Sequence, residues 1–335
     1  MATRWPDDRG GHVWPKDREA VSADGTTIRY TVLGEQGPWI ALCAGFMCPD
    51  NFWATLAPPL AETHRVVVLN YRSIGASGDP RRPGYRARHL RPDDYRVERF
   101  AEDVAAAIEA EEASDVALVG HSMGCQVALQ TWRTIPDRVS ALHLVAGPYA
   151  SPLHTFYGNK LGTYLFPFAY FGVPLLPRPV QRAIGKLPRL PIAMDVARLA
   201  RALGPLTPDR GMDLYFEHFG EVDPLVVLKI ARGMHEFDAG PWLHEIDVPT
   251  AILVGGRDTF CPPQVGRTMH AVLRESQLTV LDDATHGLPI EFPLEVHDWV
   301  TGHTHRQLGW PVTPDRGRTR LLQDPGDGIV AVRPA

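Results

Sequence analysis

Cysteine is scarce in this chain, and its few cysteines are not spaced for a disulfide framework or for a metal. The four are Cys43, Cys48, Cys125 and Cys261. None belongs to a Cys-x-x-Cys pair, and each lies beside a predicted strand end or helix start. We therefore expect buried free thiols in a reducing compartment and not disulfides. The His-x-His of His303 and His305 is too isolated to indicate a metal, so we expect neither a metal nor a cofactor.

Long hydrophobic runs are also missing. Residues 1–20 contain Asp, Arg, Lys and prolines where a secretory leader would have its apolar segment, so no leader is predicted and we expect a cytoplasmic protein. The longest uncharged run worth testing as a membrane span is Leu161–Pro177, and Pro167 and Pro174 interrupt it. We expect a buried or substrate-facing segment there and no stable membrane insertion. A lipase-like protein that docks on membranes through Leu161–Leu176 is retained as an alternative.

Neither sign of charge is in large excess. The formal net charge is −5 over 335 residues, and 44% of the residues are hydrophobic. A large core can therefore be buried, whereas nucleic acid is not an expected partner. Arginines are dense between Arg81 and Arg99, but acidic residues are interleaved with them, which indicates a solvated face and not an anion site. The expected partner is a small molecule, and the oligomeric state stays open.

The most informative pattern present is Gly-His-Ser-Met-Gly at residues 120–124. It follows the apolar run Val116–Val119, which is typical of a buried strand, and it precedes a predicted helix, Cys125–Ile135. Strand, sharp turn and helix are the setting of a nucleophile elbow. The turn leaves no room for side chains at the two glycine positions, and it strains Ser122 so that its hydroxyl stands clear of the sheet. A plain glycine-rich turn with a solvated serine is the alternative.

Predicted strands and helices alternate on both sides of one long interruption. This alternation predicts an α/β fold with a mostly parallel, doubly wound sheet and helices on both faces. We assign residues 1–147 and 248–302 to the core, and residues 148–247, which are proline-broken and rich in aromatic residues, to a helical cap. An ordinary helical embellishment without a ligand role is the alternative. Residues 303–335 are predicted to form a loosely ordered tail.

A serine nucleophile needs a base to take its proton and an acid to orient that base. After an elbow, these groups follow in the chain order acid, then histidine. Asp258 comes just after a late predicted strand and is the candidate acid, while His286 follows the last predicted strand and is the candidate base. Asp282 and Asp283 compete for the acid role, but they share a loop with the histidine. We expect His121 to fill space beside Ser122 and not to transfer protons.

The tetrahedral intermediate of acyl transfer carries a negative oxygen that needs preorganised N–H donors. One candidate is the amide of Met123, which begins the helix after the serine and therefore has no partner within it. The other is the amide of Phe46, in the loop after the strand Trp39–Cys43. Aromatic residues of the predicted cap are candidates for an apolar substrate pocket. They are Phe166, Phe168, Tyr170 and Phe171.

Together these motifs resemble the α/β-hydrolase superfamily, in its cap-bearing branch of serine hydrolases and esterases. The resemblance covers Thr26–Gly147 and Pro249–Val300. Two loops depart from the family pattern: the usual His-Gly of the oxyanion loop is Ala-Gly at residues 44–45, and the usual Asp-x-Arg-Gly-x-Gly-x-Ser is Asn-Tyr-Arg-Ser-Ile-Gly-Ala-Ser at residues 70–77. Because the nucleophile is serine and not aspartate, similarity to epoxide hydrolases and haloalkane dehalogenases stops at the fold.

The resemblance implies a cofactor-free serine hydrolase that cleaves a carboxylic ester or lactone through an acyl-enzyme, with an apolar or aromatic acyl substrate. The same three residues could act on a thioester or a C–C bond or in peracid formation, because the superfamily runs all of these reactions through one site. A non-catalytic ligand-binding protein on the same fold is a further alternative.

Overall fold

The computed structural model describes residues 14–80, 90–156, 159–199, 203–207, 209–312 and 329–332. Most of the predicted tail and part of the arginine-rich stretch that begins at Arg81 lie outside these residues, as do residues 1–13.

The described strands form one sheet. They are β1 (Arg18–Val21), β2 (Thr27–Leu33), β3 (Trp39–Cys43), β4 (Arg65–Leu69), β5 (Val116–His121), β6 (Val139–Val145), β7 (Thr250–Gly255), β8 (Ser276–Leu281) and β9 (Ile329–Val332). Their order in the sheet is β1-β2-β4-β3-β5-β6-β7-β8-β9. The strands β1 and β2 pair antiparallel, as do β2 and β4, and all later pairings are parallel. This sheet confirms the predicted α/β fold.

The α-helices alternate with the parallel strands, except between β6 and β7, where several follow one another. They are α1 (Ala57–Leu60), α2 (Val97–Ala110), α3 (Met123–Thr134), α4 (Leu161–Gly172), α5 (Arg178–Gly185), α6 (Ala193–Leu199), α7 (Asp209–Phe219), α8 (Pro224–Glu236), α9 (Pro263–Val272), α10 (Leu288–Glu291) and α11 (Pro293–Leu308). Short 3-10 turns include Asp50–Trp53, Pro92–Tyr95, Pro136–Arg138, Pro152–His154, Val173–Leu175, Leu187–Arg189 and Leu243–Glu245.

Three of the central strands are buried along their whole length. Every residue of β3, β5 and β7 is buried, whereas the edge strand β1 has one buried residue. A parallel strand covered on both faces needs such a continuous apolar sequence, since neither of its faces meets water. Helices α2 and α3 pack against each other and against the sheet, and α1 contacts α11. The carboxyl ends of β5, β7 and β8 therefore carry their loops to one edge of a rigid sheet.

The last long helix extends past the predicted core boundary. Helix α11 runs to Leu308, and Gly309 ends it in the left-handed conformation at φ 68°, as is common at helix C-termini. Inside this last part of the helix, His303 is buried and its Nδ1 lies 3.1 Å from His143 Nε2 on β6. The structure thus differs from the prediction of a tail from residue 303, because a buried polar contact holds the final turns on the sheet. Strand β9 also joins the sheet beside β8.

The chain between β6 and β7 contains helices α4 to α8. Of these, α8 is tied directly to the core, because Gln126 Nε2 donates to Met234 O at 3.0 Å, and a Cβ at Gly233 would lie 2.1 Å from Tyr95 O. Helix α4, in contrast, has no buried residue. The assignment of residues 148–247 to a cap domain of their own stays a prediction. Among the described helices, none combines the length and the apolar character that a membrane crossing requires.

Candidate active site

Ser122 lies at the sharp turn between β5 and α3. Its φ of 54° and ψ of −122° are a strained combination for a residue with a side chain. The two flanking glycines are sterically required: a Cβ at Gly120 would lie 2.4 Å from Gly124 O, and one at Gly124 would lie 1.9 Å from Cys43 O. The predicted steric role of both glycines is therefore confirmed.

Two further predicted residues form a hydrogen-bonded chain with this serine. His286 Nε2 lies 2.9 Å from Ser122 Oγ, and His286 Nδ1 lies 2.9 Å from Asp258 Oδ2. The Asp258 side chain is fully buried, and its other oxygen accepts the amides of Phe260 and Cys261, each at 2.8 Å. Because those amides hold the carboxylate in place, the imidazole has a fixed acceptor on Nδ1. Nε2 is then the nitrogen that faces the hydroxyl.

The competing acids on the histidine loop lie elsewhere. Asp283 pairs with Arg257 at 2.6 Å, and Asp282 is exposed. The structure therefore brings Asp258, and neither of these two, to His286.

His121 does more than occupy space beside the serine. Its Nε2 lies 2.8 Å from the carbonyl of His286, and its ring stacks on Phe52 with centroids 4.6 Å apart. Burial, and then the neighbouring imidazole of His286, lowers the pKa of His121 to about 3. Because a carbonyl can only accept, the neutral ring donates from Nε2. His121 therefore fixes the main chain that carries His286.

The two predicted oxyanion donors belong to main-chain segments next to Ser122. Met123 is the first residue of α3, where the amide has no partner within the helix. On the other side, Gly45 approaches so closely that a Cβ there would lie 3.2 Å from Ser122 Cβ. The Gly45 carbonyl accepts from Cys48 N at 3.2 Å. The Phe46 N–H is on the opposite edge of the same trans peptide and so points out of that turn.

A cavity of about 400 Å³ opens over these residues. Ser122 and His286 lie in its wall, together with aromatic side chains from both the sheet loops and the helices between β6 and β7. Those aromatic residues include Phe46, Phe156, Phe166, Phe216 and Phe260. Among the described lining residues there is no Asp, Glu, Lys or Arg. A cavity of this kind favours an uncharged, apolar group.

Of the four aromatic residues predicted to bind substrate, the structure brings only Phe166 into the described wall of the cavity. Phe168 is 77% exposed and Phe171 is 68% exposed. Tyr170 accepts a hydrogen bond from Arg232 at 3.0 Å and contacts Phe166 with ring centroids 5.8 Å apart. The prediction treated them as one group, but residues two and five positions after Phe166 point away from it on a helix with 3.6 residues per turn.

The sequence reasoning missed Glu291 of α10. Its Oε1 accepts from Thr285 Oγ1 at 2.5 Å and from Thr207 Oγ1 at 2.6 Å, while Oε2 accepts the Thr285 amide at 2.8 Å. This carboxylate therefore joins the residue before His286 to the segment at residues 203–207. In the sequence, Glu291 could have been identified because it is an acidic residue about one helical turn after the loop that carries His286. The cavity residue Phe260, two positions after Asp258, could have been found in the same way.

The remaining predictions concern cysteines and metals. All four cysteines are free and buried, as predicted. Burial raises the pKa of the Cys48 thiol, in the cavity wall, to about 12, so a thiolate is not expected there. Within the described part of the chain, no cluster of three or more His, Cys, Asp or Glu residues is placed to hold a metal ion.

Comparison with known proteins adds sequence and fold relatives to this geometry. A family model described as the alpha/beta hydrolase fold matches residues 38–293. An N-formylmaleamate deformylase of Pseudomonas putida is 23% identical over 270 residues, covering 80% of this chain and 89% of that protein. A putative carbamate hydrolase, RutD, of Klebsiella pneumoniae is 24% identical over 254 residues, covering 74% of this chain and 84% of that protein. The structure of an esterase from Exiguobacterium antarcticum superposes with a TM-score of 0.66 at 19% identity, covering 85% of this chain and 98% of that one.

Proposed function

The chain belongs to the alpha/beta hydrolase fold family, and from that premise we propose that it is a serine hydrolase that cleaves a carboxylic ester or lactone. The observation that carries the proposal is the hydrogen-bonded chain from Ser122 through His286 to Asp258, with both heavy-atom distances at 2.9 Å. A nucleophile, a base and an orienting acid in this order are the requirements of covalent acyl transfer.

The proposed reaction passes through an acyl-enzyme. Ser122 Oγ attacks the carbonyl carbon while its proton moves to His286 Nε2, and the carboxylate of Asp258 stabilises the resulting imidazolium. The amides of Phe46 and Met123 stabilise the oxyanion, and loss of one such donor typically costs about 2.7–4 kcal/mol of transition-state stabilisation. His286 then protonates the leaving alcohol, and water activated by the same nitrogen hydrolyses the acyl-enzyme.

The cavity supports an apolar acyl group as the substrate part held beside Ser122. Its described lining is aromatic, aliphatic and sulfur-containing, apart from the polar groups of the proposed site and Tyr215. The Tyr215 hydroxyl already donates to Phe46 O at 3.3 Å. A polar acyl chain would lose water there without gaining partners.

The experiment that tests the proposal is intact-mass analysis after treatment with a fluorophosphonate. We expect a single adduct on the wild type, none on Ser122→Ala, and an unchanged adduct on Ser151→Ala. Ser151 is the matched control because its Oγ hydrogen-bonds His235 Nδ1, so it too is a serine beside an imidazole. An adduct that persists on Ser122→Ala, or a wild type that takes none, would contradict the proposal.

A second candidate is cleavage of a C–N bond, because the relatives in Pseudomonas putida and Klebsiella pneumoniae are named as a deformylase and a putative carbamate hydrolase. The apolar lining argues against it, since an amide or carbamate N–H would be buried without an acceptor. Matched ester and amide substrates with the same acyl chain distinguish the two candidates. We expect the larger kcat/KM for the ester, and a larger value for the amide would favour the second candidate.

A further inference from the structure

Helix α4 presents apolar side chains to solvent on the side away from the cavity. Its outer apolar surface consists of the exposed residues Leu161, Tyr164, Leu165, Phe168, Phe171 and, in the turn that follows, Leu175. Leu175 is 85% exposed. The residues 161, 165 and 168 follow the i, i+4, i+7 spacing of one helical stripe. The opposite side of the same helix contributes Phe166 to the cavity, so α4 is apolar on both sides.

An apolar surface of this kind is unfavourable in water and marks an interaction site. Single exposed apolar side chains are normal on any protein and need no explanation. Here several large ones follow one another on one short helix, and none of the helix is buried. The question is therefore which partner covers the surface.

The stretch of sequence that contains α4 carries charge of one sign. Between Asp137 and Asp195 the sequence contains no Asp or Glu, although the whole chain has a net charge of −5. Four exposed cations flank α4 in the sequence, one just before it and three on or just after α5. They are Lys160, Arg178, Arg182 and Lys186. Arg178 lies 3.7 Å from Asp223 in a half-exposed ion pair, which contributes little. Apolar and aromatic side chains beside Lys and Arg match the two attractions of an anionic lipid surface.

We propose that the outer apolar surface of α4, with its flanking cations, docks the protein on the surface of an anionic lipid bilayer. A second copy of the chain is a poorer match, because a two-fold interface would bring the same cations against each other. The helix lies on the bilayer and does not cross it. It has 12 residues, which is about 18 Å of helix, against about 30 Å of hydrocarbon.

Docking in this way would bring lipid close to the proposed active site. Phe166 and Phe168 lie on the same helix, one in the cavity wall and one exposed. The bilayer would then lie within about one helix diameter, roughly 10 Å, of the cavity. The surface therefore fits an enzyme whose apolar substrate is dissolved in a membrane.

The test is co-sedimentation of the full-length protein with vesicles. One set contains phosphatidylglycerol and phosphatidylcholine, and the other contains phosphatidylcholine alone. We expect binding to the anionic set, at least about tenfold weaker binding to the neutral set, and weaker binding at high salt. Ser122→Ala is measured beside the wild type, and it should bind equally, because docking does not depend on catalysis.

Two pairs of variants separate the apolar and the charged contributions. Phe168→Ser/Phe171→Ser and Arg182→Glu/Lys186→Glu should each weaken binding to anionic vesicles at least about tenfold. The matched controls are on or just after α9, where Val272→Ser removes an exposed apolar side chain and Arg267→Glu/Arg274→Glu reverses two exposed charges. Both controls should bind like the wild type. All these variants should keep their activity on a soluble short-chain ester, which shows that they are folded.

Three results would overturn the proposal. One is no vesicle binding by an active wild type. Another is that Phe168→Ser/Phe171→Ser and Arg182→Glu/Lys186→Glu both bind vesicles as strongly as the wild type. The third is a concentration-dependent dimer that Phe168→Ser/Phe171→Ser dissociates while vesicles bind nothing, which would identify a second copy as the partner.

Discussion

The turn that carries Ser122 and the helix that carries Phe166 both border the same cavity, but they differ in how tightly they are packed. In β5 every residue is buried, and a side chain at either flanking glycine of the turn would overlap main-chain atoms. In α4 no residue is buried, and a Cβ at Gly172 would have nothing within 4 Å. The turn therefore has no room for a side chain at either glycine, whereas every described residue of α4 is at least partly exposed. Main-chain sterics position the proposed nucleophile, while helix orientation decides which side chains line the cavity.

The largest expected effect on stability comes from comparing substitutions at two glycines, one in the turn and one in α4. Gly124→Ala would place a Cβ 1.9 Å from Cys43 O on the neighbouring strand, so we expect the free energy of unfolding to fall by about 1–3 kcal/mol or more, with loss of activity. Gly172→Ala should instead stabilise the protein by about 0.5–1 kcal/mol, because an unfolded chain with alanine at this position has less backbone entropy to lose on folding. Urea denaturation of both variants measures this. Equal effects would remove the contrast.

The next test compares two carboxylates near His286. Asp258→Asn should lower kcat by about 10⁴ on a soluble ester with little change in fold, because an amide at this position favours the wrong imidazole tautomer. Asp283→Asn should change kcat less than twofold, since Asp283 pairs with Arg257 on a half-exposed surface. If both substitutions lowered kcat alike, the acid would not be Asp258.

The Ser122 turn and helix α4 also differ in how much of each could be predicted from the sequence. The elbow, Asp258 and His286 could be placed because each follows a buried strand, and the carboxyl ends of parallel strands meet at one edge of the sheet. The wall of the cavity could not be placed, because Phe168 and Phe171 are as apolar as Phe166. Only the packing of α4 decides which of them faces inward. The end of α11 was missed for a related reason: His303 is polar in the sequence, and its contact with His143 exists only after folding.

Glu291 joins the histidine loop to the segment at residues 203–207, through Thr285 and Thr207. In Glu291→Gln the negative charge is lost and one oxygen becomes an NH2 donor, so the hydroxyls of Thr285 and Thr207 must reverse their hydrogen bonds or lose them, and the stability cost is about 1–3 kcal/mol. We expect kcat to fall about tenfold, with the pH profile of kcat altered and KM nearly unchanged. Glu275→Gln, an exposed substitution just before β8, is the control. A change in stability alone, with an unaltered pH profile, would make the role of Glu291 structural and not positional.

Acid should weaken the core, because several of its histidines are buried and neutral. Burial, and then Arg306, lowers the pKa of His303 to about 4 from the ordinary 6.5. The unfolded chain therefore binds more protons between these values, and stability falls as pH is lowered from about 6.5 towards 4. Tm measured across this range should fall less steeply in His303→Gln than in the wild type. The exposed His305→Gln should follow the wild type, and an equally steep fall in all three proteins would contradict this assignment.

The smallest expected effect lies within α4 itself and separates its two sides. Phe166→Ala enlarges the cavity, so KM for a long-chain ester should rise several-fold while KM for a short-chain ester hardly changes. Phe168→Ala removes a side chain that is 77% exposed, so both KM values should stay within about twofold when no vesicles are present. A rise in KM for the long ester in both variants would mean that the substrate extends across α4. If only Phe166→Ala responds, one helix separates the pocket from the outer apolar surface, and substrate recognition and membrane docking can be changed independently.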